Sequence, residues 1–328
     1  MNSKHFALIL LSTLLLSLSA TPGAAKSKKA SEATKKITEP VPATTPVMID
    51  HEKARHQALA AELLQTPDSN NEIIWLGQAD NQYLGLFSSN HNRSFIGNII
   101  LLHDNQQHPD WPGVIHQLRT ELPGHGWTTL SIAVPDTVTP PTIKMPTKKQ
   151  LNKDKADTQA EPFNEMESAT QAMEAKQKAA LSTKAAEHTP TQVGLRIQEG
   201  IQFLKKKNRK PIVIVAVGIS ASWAANRISK MPLPNISGLV MIDAEQTQLS
   251  PTYNLSQDTA ALKTYTLDIV PEFNQRSNHL QRKQATIRSR HPRFQQRIIP
   301  GAHGLSQDNA PLIVKTVRGW VTRIFKRQ

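Results

Sequence analysis

The sequence predicts an α/β protein, a mostly parallel sheet flanked by helices with an antiparallel hairpin at its N-terminal edge. Three observations carry that expectation. A continuous apolar run at Asn98–Leu102 and a pure Val/Ile strand at Pro211–Val217 are joined by further strand-like segments at Trp127–Val134, Ile236–Ile242 and Tyr265–Val270, as strands buried on both faces require. Helical spacing separates several of them, as in Val193, Ile197, Ile201 and Leu204. Strands alternating with helices give a parallel sheet with right-handed crossovers. Finally, Glu72–Ser89 alternates around a polar centre at Asp80-Asn81, the pattern of a hairpin.

The elements follow in order. Lys4 and His5 precede the apolar run Phe6–Ala20, and small residues follow through Ala25. A charged start, ~7–15 apolar residues and an Ala-x-Ala-like end predict a secretory signal peptide over 1–25, cleaved after Ala25. Residues 26–46, rich in Lys, Ala, Thr and Pro, read as a disordered basic linker. The folded domain is expected over 47–328. It opens with a helix at His51–Leu64 and continues through the hairpin to the strand ending at His103-Asp104. Asp110-Trp111-Pro112 reads as a helix start with Asp110 as cap, and puts Trp111, Ile115, Leu118 and Leu122 on one face. Residues 137–190 hold Pro140-Pro141, a Lys run and an Ala/Gln/Glu/Lys stretch with few large apolar groups, and read as a polar insert. After it come the helix from Thr191, the strand Pro211–Val217, a small-residue helix Trp223–Lys230 and the strand Ile236–Ile242. The strand Tyr265–Val270, a basic helix Gln281–Arg290, a short strand Arg297–Pro300 and an amphipathic closing helix complete the chain.

Composition excludes several chemistries. There is no Cys among 328 residues, so disulfides, thiolate catalysis, iron–sulfur clusters and Cys-ligated zinc are ruled out. A cysteine-free exported chain fits a periplasmic destination. The formal charge is +13, and removal of the signal leaves 38 Lys or Arg against 26 acidic residues, or +12. That charge favours acidic partners, and Lys26, Lys28, Lys29, Lys35 and Lys36 are candidates to touch an anionic envelope surface. The runs Lys205–Lys210 and Arg282–Arg293 read as solvated faces. Aromatic residues are only 5%, too few for base stacking, so nucleic acid is not an expected partner. The scattered His51, His56, His103, His108, His116 and His125 lack metal-site spacing. The oligomeric state is not legible.

In parallel sheets, ligands bind beyond the carboxyl ends of the strands. Three such ends carry polar residues here: His103-Asp104-Asn105, Gly218-Ile219-Ser220 and Gly301-Ala302-His303. Ser220, between an apolar strand and a small-residue helix, is the candidate nucleophile, and His303 the candidate general base. The N–H of Ala221, with one from Asp104 or Asn105, is the candidate oxyanion hole. Asp243, Asp268 and Glu272 are the carboxylates available to orient the base.

This arrangement resembles the α/β-hydrolase superfamily. More narrowly, it is similar to an uncharacterised bacterial family of α/β-hydrolase-like periplasmic proteins. The residues that carry the likeness are Leu101-Leu102-His103 and Pro109-Asp110-Trp111-Pro112-Gly113-Val114-Ile115, then Leu122-Pro123-Gly124-His125-Gly126-Trp127. Further matches are Gly218–Ser222, Leu267-Asp268-Ile269, Gly301-Ala302-His303 and Arg318-Gly319-Trp320. The resemblance implies an esterase-like serine hydrolase acting on a cell-envelope ester, without cofactor, with Ser220, His303 and Glu272 as catalytic residues. Three departures motivate a second reading, a non-catalytic protein that binds an envelope ligand or partner. Ser222 stands where the elbow motif has Gly, Asp104 stands in the oxyanion loop, and Asn274 stands where an acid is expected.

Overall fold

Each apolar-rich run of the sequence becomes a strand that buries both faces, and the few polar side chains within them, such as Thr129 and Asp268, are buried with hydrogen-bond partners. The computed structural model describes residues 51–65, 71–78, 81–136, 189–231, 233, 235–246, 253–274 and 278–325. The expected signal segment, the linker and nearly all of the insert lie outside these. One sheet of eight strands forms: β1 (Asn71–Leu76), β2 (Tyr83–Ser88), β3 (Gly97–Leu102), β4 (Trp127–Ile132), β5 (Ile212–Val217), β6 (Ile236–Ile242), β7 (Tyr265–Pro271) and β8 (Phe294–Ile299). Their order is β1-β2-β4-β3-β5-β6-β7-β8. β1 pairs antiparallel with β2, and β2 with β4, and every later pairing is parallel.

The helices are α1 (His51–Gln65), α2 (Val114–Glu121), α3 (189–207), α4 (Ile219–Lys230), α5 (Leu255–Ala261), α6 (His279–Arg288) and α7 (Ala310–Phe325). β5 reads Ile-Val-Ile-Val-Ala-Val and shows why the sheet is covered on both sides. Ile212, Ile214 and Ala216 enter one core with α3 and α4, while Val213, Val215 and Val217 enter the other with α2 and α7. That is the two-residue alternation of a strand, and each buried aliphatic side chain stabilises the fold by about 1.5–3 kcal/mol. Val193, Ile197, Ile201 and Leu204 bury the expected face of α3 in the first core.

Some boundaries differ from expectation. Asp110 does not cap α2. The helix begins at Val114, after Gly113 with φ 93°, and Asp110 lies earlier in the loop. Its carboxylate accepts from His116 Nδ1 (2.8 Å) and from Arg119 Nε and Nη2 (2.8 and 2.6 Å). Burial opposes that ionisation, but the His116 and Arg119 contacts win and hold the carboxyl below its usual range. Trp111 therefore lies outside the helix, half-exposed beside His108, rather than on the face of Ile115 and Leu118. α5, capped by Asn254, was not anticipated. β8 starts three residues before the expected strand, because an edge strand half-covered by its neighbours tolerates Gln295 and Gln296. α4 starts four residues before the expected helix, which decides what Ser220 does.

Candidate functional site

The loops after β3, β5, β6 and β7 converge at the carboxyl end of the sheet. The turn between β5 and α4 is a single residue, Gly218, with φ 59° and ψ −128°. Backbone at positive φ favours Gly, which has no Cβ to clash. In the α/β-hydrolase architecture, this strained strand-to-helix position is where the nucleophile stands. Here the position has no side chain. The elbow frame is Ala216-Val217-Gly218-Ile219-Ser220, so Ser220 takes the place of the motif's final small residue.

Ser220 accordingly lies in the first turn of α4, fully buried, with its hydroxyl donating to the carbonyl of His103 at 2.5 Å. A nucleophile needs an accessible oxygen with a base in reach; this hydroxyl instead ties α4 to the loop after β3. Ser222 similarly donates to the carbonyl of Glu245. In this structure the Ser220 hydroxyl, the candidate nucleophile, is committed to backbone and buried.

The space above Gly218 is filled by Asp104. A Cβ on residue 218 would overlap the carboxyl carbon and both oxygens of Asp104. Its Oδ1 accepts from the N–H of Ile219 at 2.9 Å and of Asn105 at 2.8 Å. One donor follows the elbow and the other comes from the loop after β3, the two sources of an oxyanion hole in this architecture. An internal carboxylate oxygen thus stands where a reacting oxyanion would be held. Burial pushes the Asp104 carboxyl up from its ordinary value, and the two N–H donors pull it back. The expected oxyanion donors are all engaged within the fold: Ala221 N–H with the Gly218 carbonyl (3.3 Å), Asp104 N–H with Gln107 Oε1 (3.2 Å) and Asn105 N–H with Asp104.

His103 braces this loop. It is fully buried, its Nε2 accepting from Val134 N–H at 2.8 Å and its Nδ1 meeting the Asp104 carbonyl at 2.7 Å, so the neutral Nδ1–H tautomer satisfies both contacts. Burial lowers its pKa to about 3. His303 sits after β8, exposed, its ring stacked on Phe273 at 4.6 Å. The Glu272 carboxylate accepts from the backbone N–H of Gly301 at 2.8 Å, so it braces the His303 loop through the main chain. Asp268 is buried in mid-strand and bound to Arg282. Among the described residues, no three His, Asp or Glu side chains are grouped to hold a metal ion.

Asp243 and Asn274 are the residues that sequence reasoning underrated. Asp243 follows β6 at φ 50°, and its carboxylate accepts from the Asn274 amide. Burial raises its pKa to about 6; the Asn274 bond opposes the rise, while Glu245 and Asp104 add to it and Arg282 lowers it. The usable signal was a polar pair at two neighbouring strand ends, Asp243 and Asn274. An Asp that binds its proton more tightly folded than unfolded stabilises the fold below pH ~3.8 and loses that contribution as pH rises through ~6. The difference between the two ends of that range is about 3 kcal/mol. Asp243→Asn keeps an acceptor for Asn274 and suits the left-handed backbone. It is therefore expected to raise the denaturant midpoint at pH 7.5 and to give little change at pH 4, and an equal gain at both values would contradict this reading.

The site is therefore an acid-rich cluster that holds its own carboxylate in the anion hole and exchanges a proton at Asp243 near pH 6. Among solved structures, an esterase of Pyrococcus furiosus matches with TM-score 0.51 and 12% identity, over 78% of this chain and 90% of that one. Est1E from Butyrivibrio proteoclasticus matches with TM-score 0.52 and 9% identity, over 76% of this chain and 98% of its own. At such identity the likeness shows the fold alone, and that fold is the α/β-hydrolase fold. Among curated proteins, no sequence relative was found. Residues 7–323 match the family described as protein of unknown function (DUF3530), and the chain belongs to that family.

Proposed function

We propose that this chain is an exported α/β-hydrolase-fold protein that acts by binding an envelope ligand or partner, without serine-hydrolase chemistry. One observation carries the proposal: the elbow residue is Gly218, and the anion hole beside it is occupied by Asp104. Acyl transfer needs a nucleophile at the turn and free N–H donors for the developing oxyanion. Removal of one such donor commonly slows catalysis by ~10²–10³-fold. Here both donors are engaged and the nucleophile position has no side chain.

The competing reading is an esterase that works on a cell-envelope ester through Ser220, His303 and Glu272. What favours it is the place of His303, on the exposed loop after the last strand, and the fold shared with an esterase. One experiment separates the two. Protein recovered from cells, expected to begin at Lys26, is treated with a fluorophosphonate probe and assayed on short p-nitrophenyl esters, beside its Ser220→Ala variant. The binding reading expects no labelling, and the same background turnover in both forms. Labelling at Ser220, or turnover that disappears in the variant, would establish the esterase instead.

A further inference from the structure

Charge is segregated along this chain. From Phe273 to Gln328 there are twelve Lys or Arg and one acidic residue, Asp308, a net +11 out of the chain's +13. The preceding 272 residues carry 27 basic and 25 acidic side chains and are nearly neutral. In the fold, the basic stretch forms the edge strand β8, α6 beside it, and α7, which covers one face of the sheet. Lys283, Arg288, Arg290, Arg293 and Arg297 are all exposed there. Among the described residues, none of these five forms an ion pair with a carboxylate.

α6 is also inverted relative to an ordinary surface helix. Helices of globular proteins turn their apolar stripe inward. α6 buries Arg282 and Thr286 instead, Arg282 binding Asp268 and the Ala244 carbonyl. Its large apolar residues face outward: Leu280 is 61% exposed and Ile287 65%. Seven residues apart, they lie on one helical face, with Lys283 and Gln284 between them. Ile298 of β8 is also exposed. It lies on the same side of its strand as Gln296, which donates to the carbonyl of His279 at the start of α6. Unpaired cations interleaved with outward aliphatic side chains make an interfacial surface. Among the described residues, no helix is long and apolar enough to cross a membrane.

We propose that the α6–β8 edge docks on an anionic phospholipid bilayer, Lys283, Arg288 and Arg290 meeting lipid phosphates while Leu280 and Ile287 enter the interfacial zone. A second copy of the chain is a poor occupant, since a self-complementary contact would set this charge against itself. A soluble polyanion would use the cations and leave Leu280 and Ile287 without a role. The proposal is independent of what happens at Gly218.

Flotation with vesicles tests it. The protein as processed in the cell is mixed with phosphatidylcholine vesicles, or with vesicles that also contain phosphatidylglycerol. Binding is expected only to the latter, weakening as salt rises. The Lys283→Glu/Arg288→Glu/Arg290→Glu variant should lose affinity on the order of a hundredfold, at roughly fivefold or more per cation. Lys205→Glu/Lys206→Glu/Arg209→Glu, the same charge change placed elsewhere, should lose far less. Leu280→Ser/Ile287→Ser should weaken vesicle binding roughly tenfold while leaving retention on heparin unchanged. No binding to anionic vesicles overturns the proposal. So does an equal loss in the two charge variants, which would mean net charge alone, or unchanged vesicle binding in the Ser variant, which would mean a soluble polyanion.

Discussion

Gly218→Ala is expected to destabilise the protein by about 3–5 kcal/mol, and Asp104→Ala in the same chain to add little to that loss. The first contribution is backbone strain: a residue with a Cβ held at φ 59°, ψ −128° costs about 1–3 kcal/mol. The second is displacement of the Asp104 carboxylate, which the new methyl would overlap, from the N–H groups of Ile219 and Asn105. Hydrogen bonds to a charged group contribute about 1.5–3 kcal/mol. Removal of the Asp104 carboxylate makes room for the methyl but forfeits the same two hydrogen bonds, so the double variant loses them once, not twice. Denaturant unfolding of the two single variants and the double variant should give a coupling of about 2 kcal/mol. Additivity within ~0.5 kcal/mol would mean that Asp104 does not occupy the elbow space.

Asp268→Ala should be comparably severe. Asp268 receives Arg282 Nε at 3.0 Å and Nη2 at 3.1 Å, and Gln296 at 2.8 Å, with both charged side chains fully buried. Removing one member of a buried pair strands the other charge, at a cost of about 3–5 kcal/mol. Replacing both by apolar residues of similar volume avoids the stranded charge, so Asp268→Leu/Arg282→Met should unfold much closer to the parent. A loss below ~1 kcal/mol in Asp268→Ala would show that Arg282 reaches water. The pair also sets the pose of α6, because the helix is anchored through an arginine and its aliphatic side chains are left facing outward.

The main architecture was legible in the sequence because a central parallel strand must be apolar on both faces. Runs such as Ile-Val-Ile-Val-Ala-Val state this without help from the rest of the chain. β8 was read too short and α5 not at all, since edge strands and short polar helices lack that compositional mark. The sequence also marked the place of the site, at three polar strand ends, and pointed to Asp104, Ser222 and Asn274 as departures from a working hydrolase.

Roles within the site were another matter. Whether Gly218 or Ser220 stands at the elbow turns on a shift of two residues, and only the end of β5 and the backbone angle that follows decide it. Asp104 meets Ile219 across 115 positions of chain, and Ser220 meets His103 across 117, so no local pattern foretells either contact. Arg282 lies in a run that reads as solvated charge, yet it is buried because β7 places Asp268 beneath it. Periodicity and composition act through near neighbours and therefore determined the strands, the helices and the sheet that they make. The order of strands in that sheet brought distant loops together, and it alone decided that a carboxylate fills the anion hole and that a basic helix turns its leucine and isoleucine outward.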